Sequence, residues 1–184
     1  MAKVREPSSQ ARLTDPAQLK EAMDWLAQQP NTVFIGQGVA VPGNGMSPSF
    51  EDVPDNRKIE WPVAEELQLG ACLGLSLWGA VPICIFPRYN FLLRAMDQLV
   101  NHLDRLPLYG RGYVPGVIIR VAVGRSSPLD PGPQHQDNLN EPLRKMLKTV
   151  ELLDLSIINV PGAYERAYRR ATAMPRRSTI VVEH

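Results

Sequence analysis

The segment Trp61-Pro62-Val63-Ala64-Glu65-Glu66-Leu67-Gln68-Leu69-Gly70 places two adjacent carboxylates among apolar residues at a predicted helix start. Two chemistries fit such a pair. Acidic side chains in a first helical turn face the unsatisfied backbone N–H groups and the positive end of the helix dipole. That is an electrostatic role with no catalysis in it. The other reading is an acid in a low-dielectric site, where desolvation disfavours the charged form and raises the pKa. The local residues leave both open.

Other familiar signatures are missing. Gly36-Gln37-Gly38 follows a predicted strand, but Val41 stands where a dinucleotide fingerprint needs its third glycine. There is no phosphate loop ending in Gly-Lys-Ser/Thr and no Gly-x-Ser-x-Gly elbow. An unrelated nucleotide-binding α/β domain would need such a motif. Lys and Arg total 20 against 19 Asp and Glu, which gives no reason to expect a nucleic-acid partner. Three scattered histidines, and Cys72 and Cys84 away from metal-ligand spacing, give no readable metal site. Both cysteines lie in apolar stretches, so two buried thiols in a reducing cytoplasm are expected. The polar N-terminus lacks the apolar core of a signal peptide. The longest uncharged run, 67–86, is broken by Gly70, Gly74, Gly79 and Pro82, so no membrane span is expected.

The elements that must position these residues alternate. Asp15 and Pro16 signal a helix start, with Leu19, Ala22, Met23 and Leu26 on one face. Thr32–Ile35 reads as a strand. A Gly-rich loop over 36–54 follows, long enough to be functional or to rest on a partner. A strand is predicted at 58–62, a helix over 64–78, a strand over 81–86 and a helix over 91–106. The β-branched run 117–123 should be a central strand, followed by a Pro-rich loop over 124–136. Helices are predicted from Asn140 and from Pro161, with strands over 155–160 and 178–182. Residues 1–13 read as a flexible arm and 14–184 as one domain. Strands alternating with helices of 10–16 residues predict an α/β fold. Its three α/β/α layers enclose a mainly parallel sheet, with ligands expected at the carboxyl ends of the strands.

The segment around Glu65 resembles the Pro-Ile-Ser/Ala-Glu-(four residues)-Gly motif of the β subunit of thiamine-dependent 2-oxoacid dehydrogenases. Its first domain is a transketolase-like pyrimidine-binding domain. Glu65 precedes Gly70 by five residues, and Gly74 falls at the next family glycine. The likeness continues through Val81–Phe86 and Arg88–Asn101. It goes on through Val114-Pro115 with Ile119-Arg120, Gly132–Gln136, and the ending Val181–His184, covering about residues 17–184.

The resemblance implies a thiamine diphosphate-binding fold and specific roles. Glu65 would bond N1′ of the aminopyrimidine and favour the tautomer whose 4′-nitrogen takes the thiazolium proton. The cofactor then stores the electrons of the cleaved bond. Glu66 is the alternative register, and only Glu65 has the five-residue step to Gly70. Phe91 would pack against the pyrimidine ring; without the family it is equally a core residue. Tyr89 and Arg88 would line the substrate side, and Arg88 either pairs with a substrate carboxylate or phosphate or is simply solvated. His135, otherwise an ordinary surface histidine, would reach the entrance.

The departures bear on partners. Gln37 stands where the family usually has a glutamate belonging to an acidic route between paired sites. A neutral amide cannot relay a proton as a carboxylate does. The 124–136 loop carries Gln136 in place of the usual Ser. The family's second β-subunit domain and the Gly-Asp-Gly…Asn pattern for Mg²⁺ and diphosphate do not occur in these 184 residues. The resemblance therefore implies a separate α-type chain holding Mg²⁺ and diphosphate. The expected assembly is an α₂β₂-like one acting on a small carbonyl substrate. The alternative is a non-catalytic copy kept for assembly or regulation.

Overall fold

A computed structural model describes residues 13–110, 112–125 and 130–184. The arm expected over 1–13 therefore lies, apart from Leu13, outside the described residues.

Six strands form one sheet: β1 Thr32–Gly36, β2 Lys58–Glu60, β3 Val81–Phe86, β4 Ile118–Ala122, β5 Glu151–Asp154 and β6 Thr179–Glu183. Their order is β2-β1-β3-β4-β6-β5, and every neighbouring pair is parallel. Parallel strands are covered on both faces, so their residues are apolar on both sides. In β3, Val81, Ile83 and Ile85 join one core, while Cys84 and Phe86 join the other. The predicted strand at 155–160 forms earlier, at 151–154. Asp154 there binds the Ser156 N–H and hydroxyl, which turns the chain out of the sheet.

One face carries α1 (Pro16–Gln28) and the helix α4 (Val160–Thr172). The Asp15 side chain accepts from the Ala17 N–H at 2.9 Å, and Asn159 caps α4 by accepting from Gly162 at 2.8 Å. The opposite face carries α2 (Glu65–Leu77), a helical stretch over 89–103, and the short α3 (Asn140–Met146). The helix expected over 91–106 starts two residues early as a 3-10 turn, Tyr89–Ala95, and widens into a π-helix over Asp97–Leu103. Leu92, Ala95, Leu99 and Leu103 still face the core.

The long loop after β1 does more than line a site. Val39, Met46, Phe50 and Val53 enter the core beside α1. Its first turn is pinned by Glu60, whose carboxylate accepts from the N–H groups of Gly38 (2.6 Å), Ala40 (2.8 Å) and Val41 (3.0 Å). Burial alone would raise the Glu60 carboxyl, but these bonds hold it below its ordinary value. Gly38 has φ +74°, and a Cβ there would lie 2.2 Å from the Asn44 side chain, so only glycine fits this turn.

Candidate functional site

The carboxyl ends of β3, β4 and β6 open into a cavity of about 560 Å³. Gly43–Met46 from the long loop form one wall, and Pro87, Arg88 and Phe91 another. Pro131 and His135 close a third side, and Ala122 and Glu183 contribute from the strand ends. Three of the residues singled out in the sequence, Arg88, Phe91 and His135, thus meet in one place.

His135 is held on both ring nitrogens. Nδ1 lies 2.9 Å from Asn90 Oδ1, and Nε2 lies 2.9 Å from Gln134 Nε2. An acceptor at Nδ1 and a donor at Nε2 match the neutral Nδ1–H tautomer. The ring meets Phe91 edge to face, with centroids 5.5 Å apart. Arg88 is half-buried and has no carboxylate partner among the described residues. Its guanidinium is therefore a cation available to the cavity.

Glu183 enters this cavity without having been singled out in the sequence. It is 5% exposed, and its carboxylate accepts from Arg120 at 2.5 and 3.2 Å and from the Tyr164 hydroxyl at 2.9 Å. Arg120 also donates to Ser49 at 2.6 Å and stacks on Phe50, its guanidinium carbon 5.1 Å from the ring centroid. Burial pushes the Tyr164 phenol up, and the Glu183 charge adds to that. The legible signal was a lone cation in β4 and a lone anion at the end of β6, both in apolar strands. Buried charges are almost always paired.

Tyr89 does not line the cavity. It is fully buried, and its hydroxyl donates to Asn140 Oδ1 at 2.8 Å. Asn140 in turn donates to Asp154 at 2.6 Å, and His184 Nε2 lies 2.8 Å from the same carboxylate. Burial raises the Tyr89 phenol well above its ordinary value. It raises Asp154 too, but the bonds from Ser156 and the contact with His184 outweigh this and leave Asp154 lowered.

Glu65 lies elsewhere. As the first residue of α2 it lines a second cavity, of about 440 Å³, with Glu66, Leu67, Gly70, Arg94 and Gln98. The 88–98 stretch thus serves both cavities, Arg88 and Phe91 facing one and Arg94 and Gln98 the other. Glu65 is half-buried and has no hydrogen-bond partner among the described residues. Its helix is fixed from below: Gln68 is fully buried and donates to the Ile85 carbonyl at 2.9 Å. Gln37 is half-buried in the turn after β1, where its carbonyl accepts from Asn44 at 2.7 Å.

A carboxylate with free lone pairs suits a flat nitrogen heterocycle that needs one proton partner. Glu65 and Phe91 line different cavities. Among the described residues no three His, Cys, Asp or Glu side chains come together as a metal site would require, and no helix is long and apolar enough to cross a membrane.

No family model matches the chain. Similar proteins include the mitochondrial pyruvate dehydrogenase E1 component subunit beta of Caenorhabditis elegans. It is 30% identical over 105 residues, which is 55% of this chain and 30% of that protein. The 3-methyl-2-oxobutanoate dehydrogenase subunit beta of Mycobacterium tuberculosis (strain ATCC 25618 / H37Rv) is 33% identical over 95 residues, 50% of this chain and 27% of that protein. The alignments thus span less than a third of these relatives' length. Among solved structures, a split gene transketolase, described as an inactive beta4 tetramer, matches with a TM-score of 0.65 at 16% identity. It covers 92% of this chain and 50% of that one. Transketolase from Leishmania mexicana also gives 0.65, at 18% identity, over 96% of this chain and 26% of that one. These two share its fold, a parallel sheet between helical layers.

Proposed function

We propose that this chain, a relative of 2-oxoacid dehydrogenase β subunits with a transketolase-like fold, supplies the aminopyrimidine-binding half of a thiamine diphosphate site. It acts as the β-type subunit of a split enzyme that cleaves or transfers a C–C bond next to a carbonyl, with a 2-oxoacid or related compound as donor. A partner chain of α type completes the site and holds Mg²⁺ and the diphosphate, in an α₂β₂-like assembly.

The observation that carries this reading is Glu65. It sits at the first position of α2, half-buried and without a hydrogen-bond partner among the described residues, in a segment that resembles the β-subunit motif. When bound, the cofactor supplies a carbon nucleophile and an electron sink, which no side chain offers. This chain's residues do the rest. Glu65 shares a proton with the pyrimidine N1′ and thereby sets the basicity of its amino group. Phe91 offers a ring edge at the boundary between the chain and its partner. Arg88 receives the carboxylate of the donor, which orients its carbonyl. His135, fixed as the Nδ1–H tautomer by Asn90, exchanges a proton with the substrate at the entrance.

Gln37 favours a second reading, a copy retained for assembly. Its amide cannot carry a proton between paired sites, although it leaves the local chemistry at Glu65 untouched. Two measurements separate the readings. Calorimetry with thiamine diphosphate and Mg²⁺ should show binding only when the partner is present. Glu65→Gln should lower turnover of the assembled complex by about 100-fold or more while assembly is unchanged. Turnover that survives this substitution refutes the role given to Glu65.

A further inference from the structure

The opposite face of the sheet from α2 carries a hollow that the proposed catalysis does not use. α1 and α4 each lead into a strand of the same parallel sheet, so they lie side by side with the same sense. Trp25 of α1 and Tyr168 of α4 meet edge to face, with centroids 5.7 Å apart. Next to this pair the helices leave a cleft of about 290 Å³. The buried Ala22 and Tyr164 form its floor, Trp25 and Pro161 its apolar walls, and Glu21 and Glu165 its rim, one carboxylate from each helix. Its walls are fixed before anything binds. Tyr164 is fully buried and its hydroxyl donates to Glu183 at 2.9 Å, so the ring cannot swing aside to fill the space. The Asn159 cap holds the first turn of α4, and Pro161 with it. A pre-formed apolar cleft with a few convergent polar groups is the usual form of a small-molecule site.

We infer that this cleft binds a small organic cation, an ammonium group on a short aromatic or apolar body. The size fits one ring with a short tail and is too small for a strand or helix of another protein. The charge is one-sided: two carboxylates line the cleft and no cation does. Glu21 has no ion-pair partner among the described residues. Glu165 is met by Arg169 one turn on, an exposed pair of a kind that contributes little and yields to a better-placed cation. Two further arginines of α4 are occupied elsewhere, Arg166 and Arg170 both pairing with Glu151. The helix dipoles do not reverse this preference. Glu21 and Glu165 both lie in the second turn of their helices, and the positive field of a helix start falls off within the first. Indole is also the best aromatic neighbour for a cation, and Trp25 supplies one beside the two carboxylates. The inference does not rest on the catalytic reading, since neither Glu65 nor the main cavity takes part.

The test is an NMR titration of the full chain with phenethylamine, compared with phenylacetate, which has a similar body and the opposite charge. The expected result is a saturable shift of the Glu21 and Glu165 amides and the Trp25 indole N–H. Phenylacetate should bind at least about tenfold more weakly. Glu21→Gln combined with Glu165→Gln removes both charges from the rim and should weaken phenethylamine about fivefold or more. Neither side chain is buried, so the urea midpoint should be nearly unchanged. The inference is overturned by no saturable shift at these positions up to about 20 mM, by equal binding of phenylacetate, or by shifts centred on Arg88 and His135 instead. A double variant that binds phenethylamine as the wild type does would overturn it as well.

Discussion

Replacing Arg120 by Met tests the wall beneath the main cavity. Arg120 is 1% exposed, donates twice to Glu183 and once to Ser49, and lies over Phe50. Met roughly matches its apolar stem but removes the charge and every donor. Glu183 is then left with only the Tyr164 hydroxyl. Removing one partner of a buried ion pair costs about 3–5 kcal/mol, because the remaining charge is stranded. In a domain this size each kcal/mol lowers Tm by about 2–4 °C, so the expected loss is about 6–20 °C. Urea unfolding followed by circular dichroism gives the free energy directly. The companion variant, Arg120→Met with Glu183→Leu, replaces the pair by apolar groups and should recover most of the loss. A single-variant cost below about 1 kcal/mol, or a double variant costing the sum of the two singles, would refute the stranded-charge argument.

The remaining expectations concern the loops that border the cavities. Glu60 is lowered from its ordinary carboxyl value of 4.5, so its contribution to stability is present above that pH and is lost as pH falls through the lower folded value. Glu60→Gln should flatten this acid limb of the urea midpoint below about pH 5, and an unchanged limb would count against the pinning role. Asp104 is fully buried and accepts from the N–H groups of Lys148, Thr149 and Val150 at 2.7–2.9 Å, with Arg105 beside it. Asp104→Ala strands those donors and should cost roughly 2–4 kcal/mol in urea unfolding. A Cβ on Gly124 would lie 1.9 Å from the His135 carbonyl. Gly124→Ala should therefore displace His135, seen as a shifted imidazole resonance by NMR, with little change at Phe34 on the far core.

Much of the fold was legible because local rules fix it. Asp15 before Pro16 is a cap that works on its own backbone two residues away, whereas Asn159, which caps α4, fell inside the strand expected over 155–160. The apolar spacing in α1 reports burial through its period of 3.6 residues, and the unbroken β-branched run of β4 reports a strand covered on both faces. The motif around Glu65 likewise set the helix start, since the first turn of α2 follows directly from it.

What only the tertiary structure decided depends on which distant segments meet. Arg120 and Glu183 are far apart in the chain, and they pair because β4 and β6 are neighbours in the sheet. Nothing in either strand's own pattern specifies that order. Tyr89 turned inward because Asn140, a residue of α3, offers its hydroxyl a buried acceptor. Glu65 and Phe91 came to line separate cavities because the helical stretch after β3 begins at residue 89 and turns Arg88 and Phe91 toward the strand ends, with Arg94 and Gln98 toward α2. Sequence spacing sets which side of its own element a residue occupies. The wall on the other side of a cavity is set by sheet order and packing, which are properties of the whole chain.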